Sequence, residues 1–191
     1  MIRAKEHLTP EGLAKIQELH AQMNLKRDRS TKGFHGTIEI TDQWLQGFVE
    51  AEGSFYISVT PNKTSALGYR VVATFSISQT ECEKPVLEAI QKHLGCGFIK
   101  TKPVTTPGGR PVCEFKVNSF KYLLNKIIPF FDANPLLTTK NLNYLDFVTV
   151  MRLVERKEHL TQSGLEEIRR IIAGMNRGRN YSNPANIEQS K

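Results

Sequence analysis

The sequence predicts a mixed α+β domain in the order α-ββ-α-ββ-αα. Two observations carry this prediction. Four runs alternate apolar and polar residues with the period of a strand, at about 54–61, 69–79, 97–103 and 111–117. They fall into two pairs, with a helical segment between the pairs and none between the members of a pair. Such pairs hairpin into an antiparallel sheet, whereas parallel strands need a long crossover at each step.

The first helix has Thr9 as N-cap and Pro10 at its first position, and Leu13, Ile16, Leu19 and Met23 line one side. The segment is repeated. Lys5-Glu6-His7-Leu8-Thr9 returns as Lys157-Glu158-His159-Leu160-Thr161. The same offset of 152 pairs Gly12 with Gly164, Leu13 with Leu165, Ile16 with Ile168, Met23 with Met175, Asn24 with Asn176 and Arg27 with Arg179. Matches at one fixed offset signal duplication. Residues 1–28 and 153–180 therefore read as two copies of a docking helix, the first as the tail of an absent preceding half. A polar, basic linker at 29–40 leads into a single domain at 41–180, and 181–191 reads as a basic tail. Within the domain, Thr41 caps a helix over 42–52, and a second helix over 83–94 separates the strand pairs. The turn Thr-Pro-Gly-Gly-Arg at 106–110 joins the later pair. Helices over 119–128 and 139–155 follow, and the repeat helix over 161–175 closes the domain.

A chain of 191 residues with a hydrophobic fraction of 39% can build one sizeable core. A net charge of +7 and a pI near 9.4 point toward nucleic acid. Cys82, Cys96 and Cys113 are odd in number and scattered, which fits free thiols in a reducing compartment. No run approaches ~18 apolar residues, so no membrane span is expected. The N-terminus lacks a signal-peptide core, and Glu6 and Glu11 are out of place in an acid-poor transit peptide. The five histidines have no ligand-like spacing, and there is no nucleophile–base pair or phosphate-cradling glycine loop.

Residues 45–53, Leu-Gln-Gly-Phe-Val-Glu-Ala-Glu-Gly, carry the chemistry. Gly47 and Ala51 lie one turn apart on one helix face, where small side chains admit a second backbone. The helix then ends in Glu50 and Glu52, although its C-terminus already carries partial negative charge. Something positive must sit there. The two acids are about 200° apart around the helix and cannot share one role.

This segment resembles the signature of the LAGLIDADG homing endonucleases and related intron maturases. Leu45, Gly47, Ala51 and Gly53 match its letters, Phe48 and Val49 are apolar replacements, and Glu50 and Glu52 are acidic ones. Gln46 stands where a small residue is usual. Thr-Phe-Ser-Ile-Ser-Gln at 74–79 and the Pro-Phe-Phe and Pro-Leu-Leu-Thr-Thr-Lys runs within 129–140 extend the likeness. The chain is similar to the second half of a two-motif organellar member. The resemblance implies a four-stranded antiparallel saddle sheet that sits on duplex DNA. It also implies two motif helices side by side, from one chain, a homodimer or a partner chain, and location in a mitochondrion or chloroplast. Carried over by position, Glu52 is the metal carboxylate, taking Mg²⁺ or another divalent cation. Gln79 is the residue that organises water, and Lys140 is the basic residue near the phosphate. Glu50, with Gly47 and Ala51, belongs to the helix interface.

The strands suit a nucleic-acid platform independently of the family. Val71, Ala73, Phe75 and Ile77 share one face, opposite Arg70, Thr74, Ser76 and Ser78. Phe55, Ile57 and Val59 alternate with Tyr56, Ser58, Thr60 and Asn62. Lys63, Arg70, Lys100, Lys102, Arg110 and Lys116 are the basic candidates, with Tyr56, Ser58, Thr60, Asn62, Thr74 and Ser76 as the polar ones. The expected function is site-specific double-strand DNA cleavage that depends on a second motif. The alternative is a non-catalytic binder of structured RNA or rRNA, such as a maturase or an organellar ribonucleoprotein component.

Overall fold

The computed structural model describes residues 6–22, 38–104 and 109–179. It divides into two compact units, Met1–Thr37 and Ile38–Lys191. Most of the expected linker, the tail at 181–191 and part of the turn at 106–110 lie outside the described residues. The linker boundary is corrected at its end: Ile40 packs against the core of the second unit.

The first unit holds a 3₁₀ turn at Glu6–Leu8 and helix α1, Pro10–Gln22. In the second, α2 (Asp42–Glu52) runs straight into β1 (Gly53–Pro61), followed by β2 (Tyr69–Thr80), α3 (Lys84–Leu94), β3 (Phe98–Lys102) and β4 (Val112–Val117). The helical run after the sheet is longer than its sequence suggested. It passes through α4 (Phe120–Tyr122), a π-helical turn at Leu123–Ile127 and α5 (Ile128–Ala133). Pro129 falls within this run, directly after the π-helical turn, whose wider spacing accommodates its ring and missing N–H. Helix α6 (Lys140–Glu155), a 3₁₀ turn at Glu158–Leu160 and α7 (Gln162–Ala173) complete the unit.

The sheet order is β1-β2-β4-β3, with every pair antiparallel. One face is covered by helices and is apolar. Phe55 sits at its centre, with the rings of Phe75, Phe131, Tyr144 and Phe147 at centroid distances of 4.9, 5.2, 5.2 and 5.5 Å. Offset and edge-on contacts of this kind add to simple burial. Among the described residues no helix is long and apolar enough to cross a membrane.

Candidate nucleic-acid interface and metal carboxylate

Helix α2 starts where Thr41 accepts a hydrogen bond from the Trp44 N–H at 3.2 Å. Leu45 and Val49 are fully buried and fix one side of the helix on the core. The opposite side is open. Gly47 and Ala51 are exposed, and a Cβ added at Gly47 would meet nothing within 4 Å. At the C-terminal end the chain turns into β1 so tightly that a Cβ at Gly53 would lie 2.5 Å from Val49 Cγ1. Glycine is required there by the close approach, and it brings the last acidic residue to the edge of the sheet.

The two acids separate as their angular spacing demands. Glu50 turns to its own domain and accepts hydrogen bonds from the Leu137 and Thr138 N–H groups and the Thr138 hydroxyl. It thus holds the loop before α6, not the open strip. The Gln46 amide, on the same side, donates to the Pro135 carbonyl. Glu52 is exposed and makes no hydrogen bond among the described residues. The loop held by Glu50 delivers Lys140, whose ammonium donates to the Gly53 carbonyl. Here is the cation that the acidic helix end called for. Burial pulls the Lys140 ammonium below the ordinary lysine range, while Glu50 and Glu52 draw it back up. Gly53 pairs with Ile77, so Gln79, two residues farther along β2, lies beyond the start of β1, toward the end of α2. Gln79 is half-buried and, by alternation, shares the side of Phe75 and Ile77 rather than the polar side.

The other sheet face and the turns beside it carry the remaining candidates. Thr60, Lys63, Arg70, Lys100, Lys102 and Arg110 are exposed. Ser58 donates to the Val72 carbonyl at 3.5 Å, and Asn62 accepts from the Thr64 N–H and hydroxyl at 3.2 and 2.9 Å, shaping the β1–β2 turn. Two candidates are corrected. Thr74 and Ser76 are 3% and 5% exposed and cannot reach a groove as the sheet stands. Their register partners explain this. Tyr56 faces Thr74 from β1, Ser76 faces Lys116 on β4, and Lys116 reaches over β2 to within 5.9 Å of the Tyr56 ring centroid. The two long side chains roof the two short ones. The hydrogen bond with Tyr56 holds the Lys116 ammonium above its ordinary value.

Sequence reasoning missed the role of Glu114. It is 7% exposed in the middle of the basic face and binds Lys102 at 3.0 Å and Lys116 at 3.6 Å. Two lysines are thereby partly neutralised, whereas Lys100, directly opposite Glu114, makes no ion pair among the described residues. The signal was its alternation with Lys116 on one strand. His93 was also passed over; it bonds Asp42 at 2.7 Å and ties the start of α2 to the end of α3.

An α+β domain thus joins a motif helix ending in an exposed carboxylate to a sheet with one polar, basic face. The sequence model of the LAGLIDADG endonuclease family matches residues 45–151, more than half of the chain, and the chain belongs to that family. Among solved structures, the I-LtrWI LAGLIDADG homing endonuclease bound to target DNA is 34% identical, with a TM-score of 0.80, covering 94% of this chain and 62% of that one. The homing endonuclease I-TnaI is 32% identical, with a TM-score of 0.68, and is matched over 80% of this chain and 99% of its own. The probable intron-encoded endonuclease 3 of Neurospora crassa is 30% identical over 90% of this chain. An uncharacterised protein in ND4 intron 1 of Podospora anserina is 33% identical over 83% of it. The chain spans 34% of the length of each of these two relatives.

Proposed function

We propose that this chain is one half of a site-specific, metal-dependent DNA endonuclease, completed by a second LAGLIDADG domain from a homodimer or a partner chain. The observation that carries this reading is the end of α2, where an exposed Glu52 adjoins the open Gly47–Ala51 strip and is backed by Lys140. The strip seats a second motif helix, and that helix brings a second carboxylate to Glu52. In this reading each domain contributes one hard oxygen ligand group, Glu52 in this chain. Two carboxylates at such a junction repel unless a cation joins them, and Glu52 with its counterpart would hold Mg²⁺. When bound, the cation offsets phosphate charge and acidifies a water molecule. Lys140 places a further positive charge beside the scissile phosphate, and Gln79 orients the attacking water. The exposed lysines and arginines of the sheet grip phosphates, and Ser58, Thr60 and Asn62, not the covered Thr74 and Ser76, face the groove. Structures of I-LtrWI on target DNA and of I-SmaMI on uncleaved DNA with calcium ions support the ligand and cation class. The intron-borne relatives support mitochondrial origin.

Selection of cleaved duplexes from a randomised library in Mg²⁺ tests the proposal. Glu52→Gln is expected to abolish cutting and leave DNA binding largely intact. Tight binding of structured RNA with no duplex cut would overturn it. Lys100→Ala is expected to weaken DNA binding and lower its salt slope by about one counterion, read from affinity against salt concentration.

A further inference from the structure

One residue of the basic sheet face breaks its pattern. Strand β3 turns Phe98, Lys100 and Lys102 to that face, since Phe98 stands opposite Lys116 and Lys100 opposite Glu114. Phe98 is 42% exposed, whereas Phe55, Phe75 and Phe115 of the same sheet are buried on its other side. Its neighbours do not cover it. Lys116, directly across on β4, leans the other way over β2 toward Tyr56. Lys100, next on the same side of β3, is exposed and makes no ion pair among the described residues. Against the ring lies a cavity of about 110 Å³, walled by Phe98, Tyr122, Lys116 and Asn118. Tyr122, from α4, is itself 44% exposed. The backbone beneath the ring is fixed. Helix α3 ends at Gly95 in the left-handed region, and Gly97 follows at φ 86°. The Gln91 amide donates to the Gly97 carbonyl at 2.8 Å, and a Cβ at Gly97 would lie 2.5 Å from the Phe115 ring. Gly97 must be glycine on both counts, and it clamps the start of β3 onto the core. The Phe98 ring therefore stands at a set position, in water, among lysines.

We propose that Phe98, with Tyr122 beside it, reads the C5-methyl group of a thymine in the major groove of the DNA target. The proposal rests on the reading of this chain as half of a site-specific DNA endonuclease. Strands β3 and β4 form a two-stranded ribbon at one edge of the sheet. The major groove admits such a ribbon, and the thymine methyl is an apolar group that base edges present there. Charge selects the same occupant. Lys100, unpaired beside the ring, suits a backbone phosphate and would be stranded against an apolar protein surface. Side chains two apart on one strand lie about 7 Å from each other. Lys100 can thus hold the backbone while Phe98 reaches a base edge, which divides positioning from reading. The same contact separates DNA from RNA. Uracil lacks the methyl group, and the major groove of an A-form helix is too narrow for side chains to read. A cavity beside the ring gives the methyl group a place to enter, bounded by two aromatic side chains instead of bulk water.

The experiment selects duplexes from a randomised library by binding to the full chain, with no cleavage step. Each thymine of the best duplex is then replaced by deoxyuridine, one at a time, which removes one methyl group and nothing else. At one thymine the exchange is expected to weaken binding by the parent about fourfold, the value of a single buried methyl group. Phe98→Ala is expected to lose the sensitivity at that thymine and keep it at any other. Phe98→Leu, still apolar, is expected to retain part of it. Phe98→Ala that binds every duplex more weakly but keeps the same sensitivity would show a structural role and overturn the inference. So would a duplex in which no thymine responds to the exchange; either result leaves the nuclease reading standing. Failure to select any duplex overturns that reading and the inference with it. Native mass spectrometry covers the other occupant: a parent dimer that Phe98→Ala dissociates would make the ring a contact between copies and overturn the proposal.

Discussion

Helices α1 and α7 carry the same cap, the same preceding turn and the same inward-type residues, yet one has a buried stripe and the other an exposed one. Leu165 is 2% exposed and Leu13 is 50% exposed. The difference teaches that the local design is written into the segment itself. A Thr side chain satisfies a first-turn N–H, and a glycine lets the preceding turn lie against the helix; neither needs a domain beneath it. Seating is a separate property supplied by the surface below, and tertiary cover provides most of the stability of a short helix.

The sharpest way to break the comparison is to charge the stripe. Leu165→Asp buries an unpaired carboxylate in the core and is expected to cost at least about 4 kcal/mol, enough to unfold the domain. Leu13→Asp, at a half-exposed position, is expected to change stability by less than about 0.5 kcal/mol in the isolated chain. Denaturant titration of the two variants measures both. Equal losses would mean that α1 is seated as firmly as α7.

Much of this architecture was legible in the sequence because it depends on local patterns. The span of α2, the four strands and the Glu50–Glu52 separation all follow from period and angle alone. Polar contacts between distant segments were not legible. Asn176 meets Phe55 across 121 residues, and nothing near either one announces it. The burial of Thr74 and Ser76 depends on Lys116 leaning across a strand, a choice of rotamer rather than of sequence spacing. At the candidate site, the acidic end of α2 stood out as an electrostatic misfit. Its partner Lys140 could be named only through the family resemblance, because the loop that carries it is set by Glu50 from 87 residues away.

A smaller effect probes the local design instead of the seat. A Cβ at Gly164 would lie 2.0 Å from the Glu158 carbonyl oxygen, a backbone atom that cannot simply swing aside. Gly164→Ala is therefore expected to push the 3₁₀ turn off the helix and cost roughly 2 kcal/mol. Gly12 is buried in the equivalent turn. If the design is autonomous, Gly12→Ala disturbs the first unit in the same way while leaving the melt of the second unchanged. Backbone NMR shifts of residues 6–13 and 158–165 separate the two outcomes. A Gly12→Ala chain with unmoved shifts would show that the glycine answers to the seat rather than to the turn.

The smallest expected effect is a pH dependence carried by the second copy. His159 Nδ1 is buried without a hydrogen-bond partner, and His7 Nδ1 repeats that arrangement in the first copy. For His159, burial is the leading cause of a value below the ordinary 6.5, only partly opposed by its hydrogen bond to the Val154 carbonyl. The sign follows from proton counts. Between the lowered folded value and about 6.5, the unfolded chain holds the proton and the folded chain does not, so stability falls as pH drops through that window and levels off below it. Melting curves from about pH 7.5 down to 5.5 should therefore slope more steeply for the parent than for His159→Gln. An unchanged slope in His159→Gln would show instead that the buried imidazole does not couple to the fold.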